Sequence, residues 1–284
     1  MERTYRLTVS CPDRTGIVAK VSNFLATYNG WITEASYHAD QQNGWFFMRN
    51  ELKASSIPFD LTSFKNAFAP LADEFSMRWK VSDSDDKPRV VLMASKESHC
   101  LADILHRWHS DELDIDIAAV ISNHQDLKRM VEWHNIPYHH VPVSPESKEA
   151  SFEEVTNLVD SYQTELVVLA RYMQILPAKL CEQYSGRIMN IHHSFLPSFA
   201  GAKPYHQAYD RGVKLIGATC HYVTQDLDEG PIIDQDVIRV SHSNTIEDMV
   251  RLGKDAEKNV LARGLRLHIE DRVIIHENKT VIFG

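Results

Sequence analysis

Asn190 and His192 stand two residues apart in the run Asn190-Ile191-His192-His193-Ser194-Phe195-Leu196-Pro197, and Asp228 follows 36 positions after that histidine in Asp226-Leu227-Asp228-Glu229-Gly230-Pro231. A strand sends alternate side chains to one face at a spacing of roughly 6.6 Å. Asn190 and His192 are therefore expected to point the same way, with His193 on the opposite, packed face. An imidazole carries protons, an amide NH2 steadies a developing oxyanion, and a carboxylate orients the imidazole or polarises a nucleophile. Together they suit attack on a carbonyl carbon without a metal. Acidic neighbours at 226 and 229 also fit a plain solvated loop. Gly230-Pro231 makes the turn rigid and so fixes the direction of the Asp228 carboxylate. Asp226 is expected to cap or shape that turn rather than act.

The elements that must hold these groups follow from periodicity. Residues 89–94, 115–122, 139–143, 166–170 and 187–193 are short apolar or β-branched runs, and helical stretches at 101–109, 126–134, 152–162 and 178–184 lie between them. This alternation predicts an α/β fold with a doubly wound, mostly parallel sheet. Ligands bind such sheets at the carboxyl ends of the strands, where Asn190 and His192 fall. A strand pair (215–223 and 232–240), a long helix (246–270) and a hairpin (273–283) complete this part. The acidic stretch from Val81 to Pro88 reads as a linker, separating a domain at 1–83 from one at 88–284. The first domain has the βαββαβ order of a ferredoxin-like fold. A strand at 5–10 precedes Ile17, Val18, Val21, Phe24, Leu25 and Tyr28 at helical spacing, with Gly30 as the helix C-cap. Strands at 32–38 and 45–52 are joined by Asn43-Gly44, and a helix at 61–75 and a strand at 77–81 follow.

Composition narrows the function. A net charge of −9 over 284 residues argues against a nucleic-acid partner, since phosphate neutralisation needs a basic surface. Cys11, Cys100, Cys181 and Cys220 are far apart and read as cytosolic thiols. Fifteen histidines show no ligand spacing of the His-Glu-x-x-His kind, so no metal is expected. Neither a signal core nor a run of the ~20 apolar residues a membrane span needs is present, and the expected location is the cytoplasm.

The residues quoted above, with Gly217-Ala218-Thr219-Cys220-His221, resemble the formyltransferase-type folate enzymes, whose signature is Asn-Ile-His-x-Ser-x-Leu-Pro followed by an Asp in Leu-Asp-x-Gly-Pro. The similarity covers roughly residues 88–284, and it is strongest to the branch that hydrolyses 10-formyltetrahydrofolate. The resemblance implies Asn190, His192 and Asp228 as the catalytic trio. It implies that the loop from Arg171 to Pro177, through Met173, Gln174, Ile175 and Leu176, and the stretch from Val223 to Leu227, with Val223 and Asp226, hold the pteridine, with no tightly bound cofactor. It also places a histidine near His221, after Thr219; a core hydrogen-bonded role for His221 fits its strand equally well. Transferases that formylate a phosphorylated amine carry a Gly-rich turn after the first strand. Here Ala94-Ser95-Lys96-Glu97-Ser98-His99-Cys100 has no glycine and an added carboxylate that would repel phosphate, so water is the expected nucleophile. The alternatives are transfer to a small amine, and an inactive enzyme-like body.

The turn Cys11-Pro12-Asp13-Arg14-Thr15-Gly16 resembles the ACT family of small-molecule-sensing domains. That resemblance implies an effector site at Asp13, Arg14 and Gly16, with glycine and methionine as the sensible amino acids, and pairing of domains into a homo-oligomer. A helix N-terminus offers free N–H groups to a carboxylate. A plain helix start capped by Asp or Thr is the alternative.

Overall fold

In the computed structural model, which describes residues 2–197 and 204–284, the chain begins with β1 (Thr4–Pro12), α1 (Ile17–Thr27), β2 (Ile32–Asp40), β3 (Trp45–Lys53), α2 (Leu61–Glu74) and β4 (Arg78–Asp83). The strands form an antiparallel sheet in the order β2-β3-β1-β4, the arrangement expected of the ferredoxin-like domain. Leu7, Val9, Met48 and Leu52 pack with Val21, Leu25, Phe64 and Phe68 of the helices, all of them buried. Each such side chain stabilises the unit by about 1.5–3 kcal/mol. Phe24 meets Phe64 at 5.7 Å and Phe68 at 5.2 Å, edge to face. Asp60 caps α2 by accepting from the Ser63 N–H at 2.8 Å.

Three local details depart from expectation. β4 continues through Asp83, which pairs with Tyr5 and is held by the Arg3 guanidinium, so the polar joint starts at Ser84 rather than Val81. Asn29, not Gly30, takes the left-handed conformation after α1, at φ 58°. No side chain caps the start of α1, where Gly16 sits at φ 95°.

β3 is buried on both faces. Phe47 and Arg49 alternate with Met48 and so point away from the helices. Residues 270–276 and 281–284 group with this first unit and cover them. His276 meets Trp45 at 4.5 Å and Phe47 at 5.3 Å. Arg49, 1% exposed, donates to Glu34 at 3.1 Å, Glu51 at 2.7 Å and the Glu270 carbonyl at 3.0 Å. Asp271 accepts from Lys80 at 2.6 Å and Ser82 at 2.5 Å. The expected range 88–284 for the second domain differs from this division because the far face of β3 needs a cover, which the C-terminal segment supplies.

The second unit runs β5 (Arg89–Ala94), α3 (His99–His109), β6 (Asp116–Ser122), α4 (Lys128–Trp133), β7 (Tyr138–His140), α5 (Lys148–Ser161), β8 (Leu166–Leu169), α6 (Ala178–Gln183), β9 (Ile188–His192), α7 (Pro204–Asp210), β10 (Leu215–Tyr222), β11 (Ile232–Arg239) and α8 (Ile246–Ile269). β12 (Val273–His276) and β13 (Lys279–Ile282) form a terminal hairpin. The seven-stranded sheet has the order β11-β10-β9-β8-β5-β6-β7, parallel from β9 to β7 and antiparallel at β10 and β11. The strand order reverses at β5, between β6 and β8, the crevice where doubly wound sheets bind ligands. α7 has no counterpart in the sequence reading; seven residues are too few for a helical period to show. Among the described residues no helix is long and apolar enough to cross a membrane.

Arg49→Met leaves two carboxylates and a carbonyl without their shared donor. It is expected to lower the unfolding free energy by about 3 kcal/mol, read by chemical denaturation; a loss below about 1 kcal/mol would contradict the role given to this cation.

Candidate active site

β9 lies between β8 and β10, and the β9–β10 register sets Asn190 opposite His221 and His192 opposite Thr219. His221 Nδ1 lies 2.9 Å from the Tyr222 carbonyl oxygen, and its Nε2 lies 3.1 Å from Asn190 Nδ2. A carbonyl only accepts, so Nδ1 carries the proton and Nε2 accepts from the amide. One amide N–H is thereby committed and the second is left over for a ligand. Burial, partly offset by the bond to Tyr222, holds the His221 pKa below that of an ordinary histidine, which keeps the ring neutral. Thr219, fully buried, donates to the Ser194 carbonyl at 2.9 Å and accepts from the Leu196 N–H at 3.1 Å. It pins the chain just beyond His192.

Asp228 arrives on the loop between β10 and β11 with its backbone in the left-handed region, φ 58°, an uncommon conformation for a non-glycine residue. A Cβ at Gly230 would lie 1.9 Å from the Tyr222 carbonyl oxygen, so only glycine lets this loop close over the end of β10. Asp228 Oδ2 sits 3.2 Å from His192 Nδ1, while Oδ1 is 3.8 Å from His221 Nε2, beyond hydrogen-bond reach. Burial alone would raise the Asp228 carboxyl. The His192 hydrogen bond and the surrounding imidazoles outweigh it and hold the group below the usual carboxylate range. With Nδ1 committed to Asp228, His192 Nε2 is buried without a hydrogen-bond partner among the described residues.

These groups border a pocket of about 330 Å³ at the carboxyl ends of β8 and β9, within the usual range for small-molecule sites. Met173, Gln174, Ile175 and Leu176 line it from the loop after β8, and Val223 and Asp226 from the loop after β10. Met173 is 54% exposed, Ile175 57% and Leu227 61%, an apolar rim that a flat ring would cover. Ser95 ties the first loop down: its hydroxyl accepts from the Met173 N–H at 2.9 Å and donates to Asn123 at 2.7 Å, and its own N–H donates to the Arg171 carbonyl at 3.2 Å.

A second group of charges lies in the same unit. Glu257 of α8, 1% exposed, is 2.7 Å from His99 Nε2, accepts from the Tyr205 hydroxyl at 2.6 Å, and has Arg171 Nε at 3.3 Å. Burial raises its carboxyl, but His99, Arg171 and Tyr205 outweigh that and hold it below the usual range. His99, Cys100 and Glu257 bring a nitrogen, a sulfur and an oxygen within 4.8 Å. The carboxylate oxygens already serve His99, Tyr205 and the guanidinium, and burial keeps the Cys100 thiol protonated by pushing its pKa well up. Glu97, the carboxylate expected to repel a phosphate, is paired with Lys254 at 2.5 Å.

The structure thus gathers Asn190, His192, Asp228, His221 and all six loop positions around one pocket, with Thr219 behind it. His193 is the correction. β9 ends at His192, and past a strand end the two-residue alternation lapses, so His193 borders the pocket too. Its ring lies 5.1 Å from that of His192 and 6.3 Å from that of Tyr205, and neither nitrogen has a hydrogen-bond partner among the described residues. Burial, then the nearby Arg171 charge, lowers its pKa to about 4. Arg171, at φ 66°, also borders the pocket; it opens the loop to which the resemblance assigned the pteridine, without a role of its own. In the first unit, the Asp13 N–H donates to the Gly44 carbonyl at 2.8 Å. Arg14 bonds the Glu74 carbonyl and stacks 4.1 Å over Phe75, and the Cβ side of Gly16 is open.

A histidine with a folded pKa below its unfolded value binds fewer protons when folded, so stability falls as pH drops from about 6.5 toward 4. Between pH 6.5 and 5 the His193 shift amounts to about 2 kcal/mol. His193→Asn is expected to remove about that much of the pH dependence of the unfolding free energy. An unchanged slope would show that the ring is solvated.

The family described as Formyl transferase matches residues 88–265. A formyltetrahydrofolate deformylase of Synechocystis sp. is 46% identical over 281 residues, covering 99% of each chain. The crystal structure of a formyltetrahydrofolate deformylase from Pseudomonas syringae pv. tomato superposes with a TM-score of 0.99 at 69% identity, covering 100% of this chain and 95% of that one. A second, from Burkholderia mallei, gives a TM-score of 0.94 at 41% identity over 99% and 100% of the two chains. With sequence and fold matched so closely from end to end, the chain belongs to the formyl transferase family, among its formyltetrahydrofolate deformylases.

Proposed function

We propose that the pocket takes 10-formyltetrahydrofolate and that water attacks its N10-formyl carbon, yielding formate and tetrahydrofolate. One observation carries the reading: His192 has Nδ1 bonded to an ionised Asp228 and a buried Nε2 with no partner among the described residues, and it lines the same pocket as Asn190, which has an N–H to spare. The pteridine lies against the loops carrying Met173–Leu176 and Val223–Asp226. The water oxygen bonds to the formyl carbon as the carbonyl π pair moves onto oxygen, and one water proton passes to His192 Nε2. Asp228 stabilises the imidazolium, as a buried carboxylate does behind any catalytic histidine. Asn190 donates to the new oxyanion. The imidazolium then gives its proton to N10 as the C–N bond breaks, and His192 is neutral again. No other cofactor enters the scheme.

The reaction would supply formate and balance the one-carbon folate pools that purine synthesis draws on. The buried, unpaired state of all four cysteines supports a cytoplasmic location. The first unit is read as an ACT-like module that forms a homo-oligomer and senses an amino acid at Asp13, Arg14 and Gly16. The unfilled space beside Gly16 supports that reading.

Asp228→Asn and His192→Ala are each expected to lower kcat roughly 10²–10⁴-fold, and Asn190→Ala roughly 10²–10³-fold, in a formate-release assay with no acceptor added. Near-normal formate release by the first two would overturn the reading. Formyl transfer to an added amine at the expense of formate would favour a transferase. Calorimetry on the full chain is expected to give a binding heat with glycine or methionine, and silence with both would remove the effector site.

A further inference from the structure

We propose that His193 holds the attacking water: one ring nitrogen accepts a hydrogen bond from the molecule whose other hydrogen passes to His192 Nε2. This rests on the hydrolytic reading of the trio and adds a residue to it. His193 borders the pocket beside His192, with ring centroids 5.1 Å apart and planes at 75°. Two hydrogen bonds of ~2.8 Å at a tetrahedral oxygen span about 4.6 Å, a separation that rings with centroids 5.1 Å apart allow between one nitrogen of each. Both the His193 nitrogens and His192 Nε2 are otherwise without partners among the described residues.

The surroundings define the kind of help this ring gives. With a pKa of about 4 it keeps its lone pair at neutral pH, yet it is too weak a base to strip water. It orients the nucleophile, and its own protonation state is the same before and after turnover. The Arg171 and Glu257 charges both act on it, and the Tyr205 ring lies 6.3 Å away, edge to face. A Cβ at Gly253 would lie 2.0 Å from the Tyr205 hydroxyl, so α8 carries glycine where that ring must lie. This end of the pocket is polar, lined by Arg171, Asn190, His192, His193, His221 and Asp228, and suits a small nucleophile.

The test compares two nucleophiles on the full-length enzyme with 10-formyltetrahydrofolate. His193→Ala is expected to cut formate release roughly 10- to 100-fold, with KM unchanged. Formyl transfer to added hydroxylamine should fall less than about 3-fold, because a strong amine nucleophile does not need the ring to aim it. His193→Asn, which retains an acceptor oxygen, should recover part of the formate rate; it also serves where the alanine variant fails to bind 5-formyltetrahydrofolate, an unreactive reporter of an intact pocket. Formate release within about 3-fold of the parent in both variants would overturn the assignment. So would a matched fall of formate and hydroxamate, which would place His193 on the formyl carbon or in the fold. An active Asp228→Asn variant would instead sink the underlying hydrolytic reading, so the two failures are distinguishable.

Discussion

The pairing of β9 with β10 is the constraint on which the site depends. Strand periodicity is two, so a slip of one residue would turn Asn190 and His192 into the packed layer and put apolar side chains in their places. The register is held by burial on either side, Met189 and Ile191 below and Cys220 and Tyr222 opposite them. Polar groups reinforce it. His221 binds Asn190 across the strands, and Thr219 gathers the backbone of Ser194 and Leu196. Neither threonine nor histidine does chemistry in this scheme; each removes a degree of freedom from a neighbour that does.

Charge burial is the second theme. Asp228 and Glu257 are both carboxylates withdrawn from water, a costly state unless paired and hydrogen-bonded. Each is satisfied by imidazole, and Glu257 by a guanidinium and a phenol as well. The difference lies in which group borders the pocket. Around Glu257 the carboxylate oxygens are taken, and although His99 Nδ1 also lacks a hydrogen-bond partner among the described residues, neither His99 nor Glu257 lines the pocket. Around Asp228 the pairing ends on His192, whose far nitrogen still lacks a partner. A buried, unmade hydrogen bond costs about 1–3 kcal/mol, and a ligand that completes it recovers that energy at the reacting atom.

Much of this was readable in the residues, and the exceptions have physical reasons. Asn190 and His192 could be assigned to one face because they sit inside a strand, where alternation is obligatory. His193 could not, since it stands one position past the strand end and its direction is set by tertiary packing. The loop positions Met173–Leu176 and Val223–Asp226 came from the resemblance to the folate enzymes; the residues alone showed only an apolar loop after a buried strand, which plain packing would also explain. Glu257 was hidden: a glutamate in a long amphipathic helix reads as solvent-facing, and only the approach of α8 to Arg171, His99 and Tyr205 buries it. The run Trp45-Phe46-Phe47-Met48 carried a hint that both faces of β3 are covered, but its cover lies more than 200 residues away in sequence.

That distant cover bears on how the chain matures. Polypeptides emerge from the ribosome N-terminus first, and domains generally fold as units in that order. Here the βαββαβ segment leaves the exit tunnel before the rest, with Arg49 still awaiting Glu270, Phe47 awaiting His276 and Lys80 awaiting Asp271. This unit is therefore translated before the other yet completed after it, and a chain lacking residues 270–284 would leave Phe47 and Arg49 without the cover those residues supply.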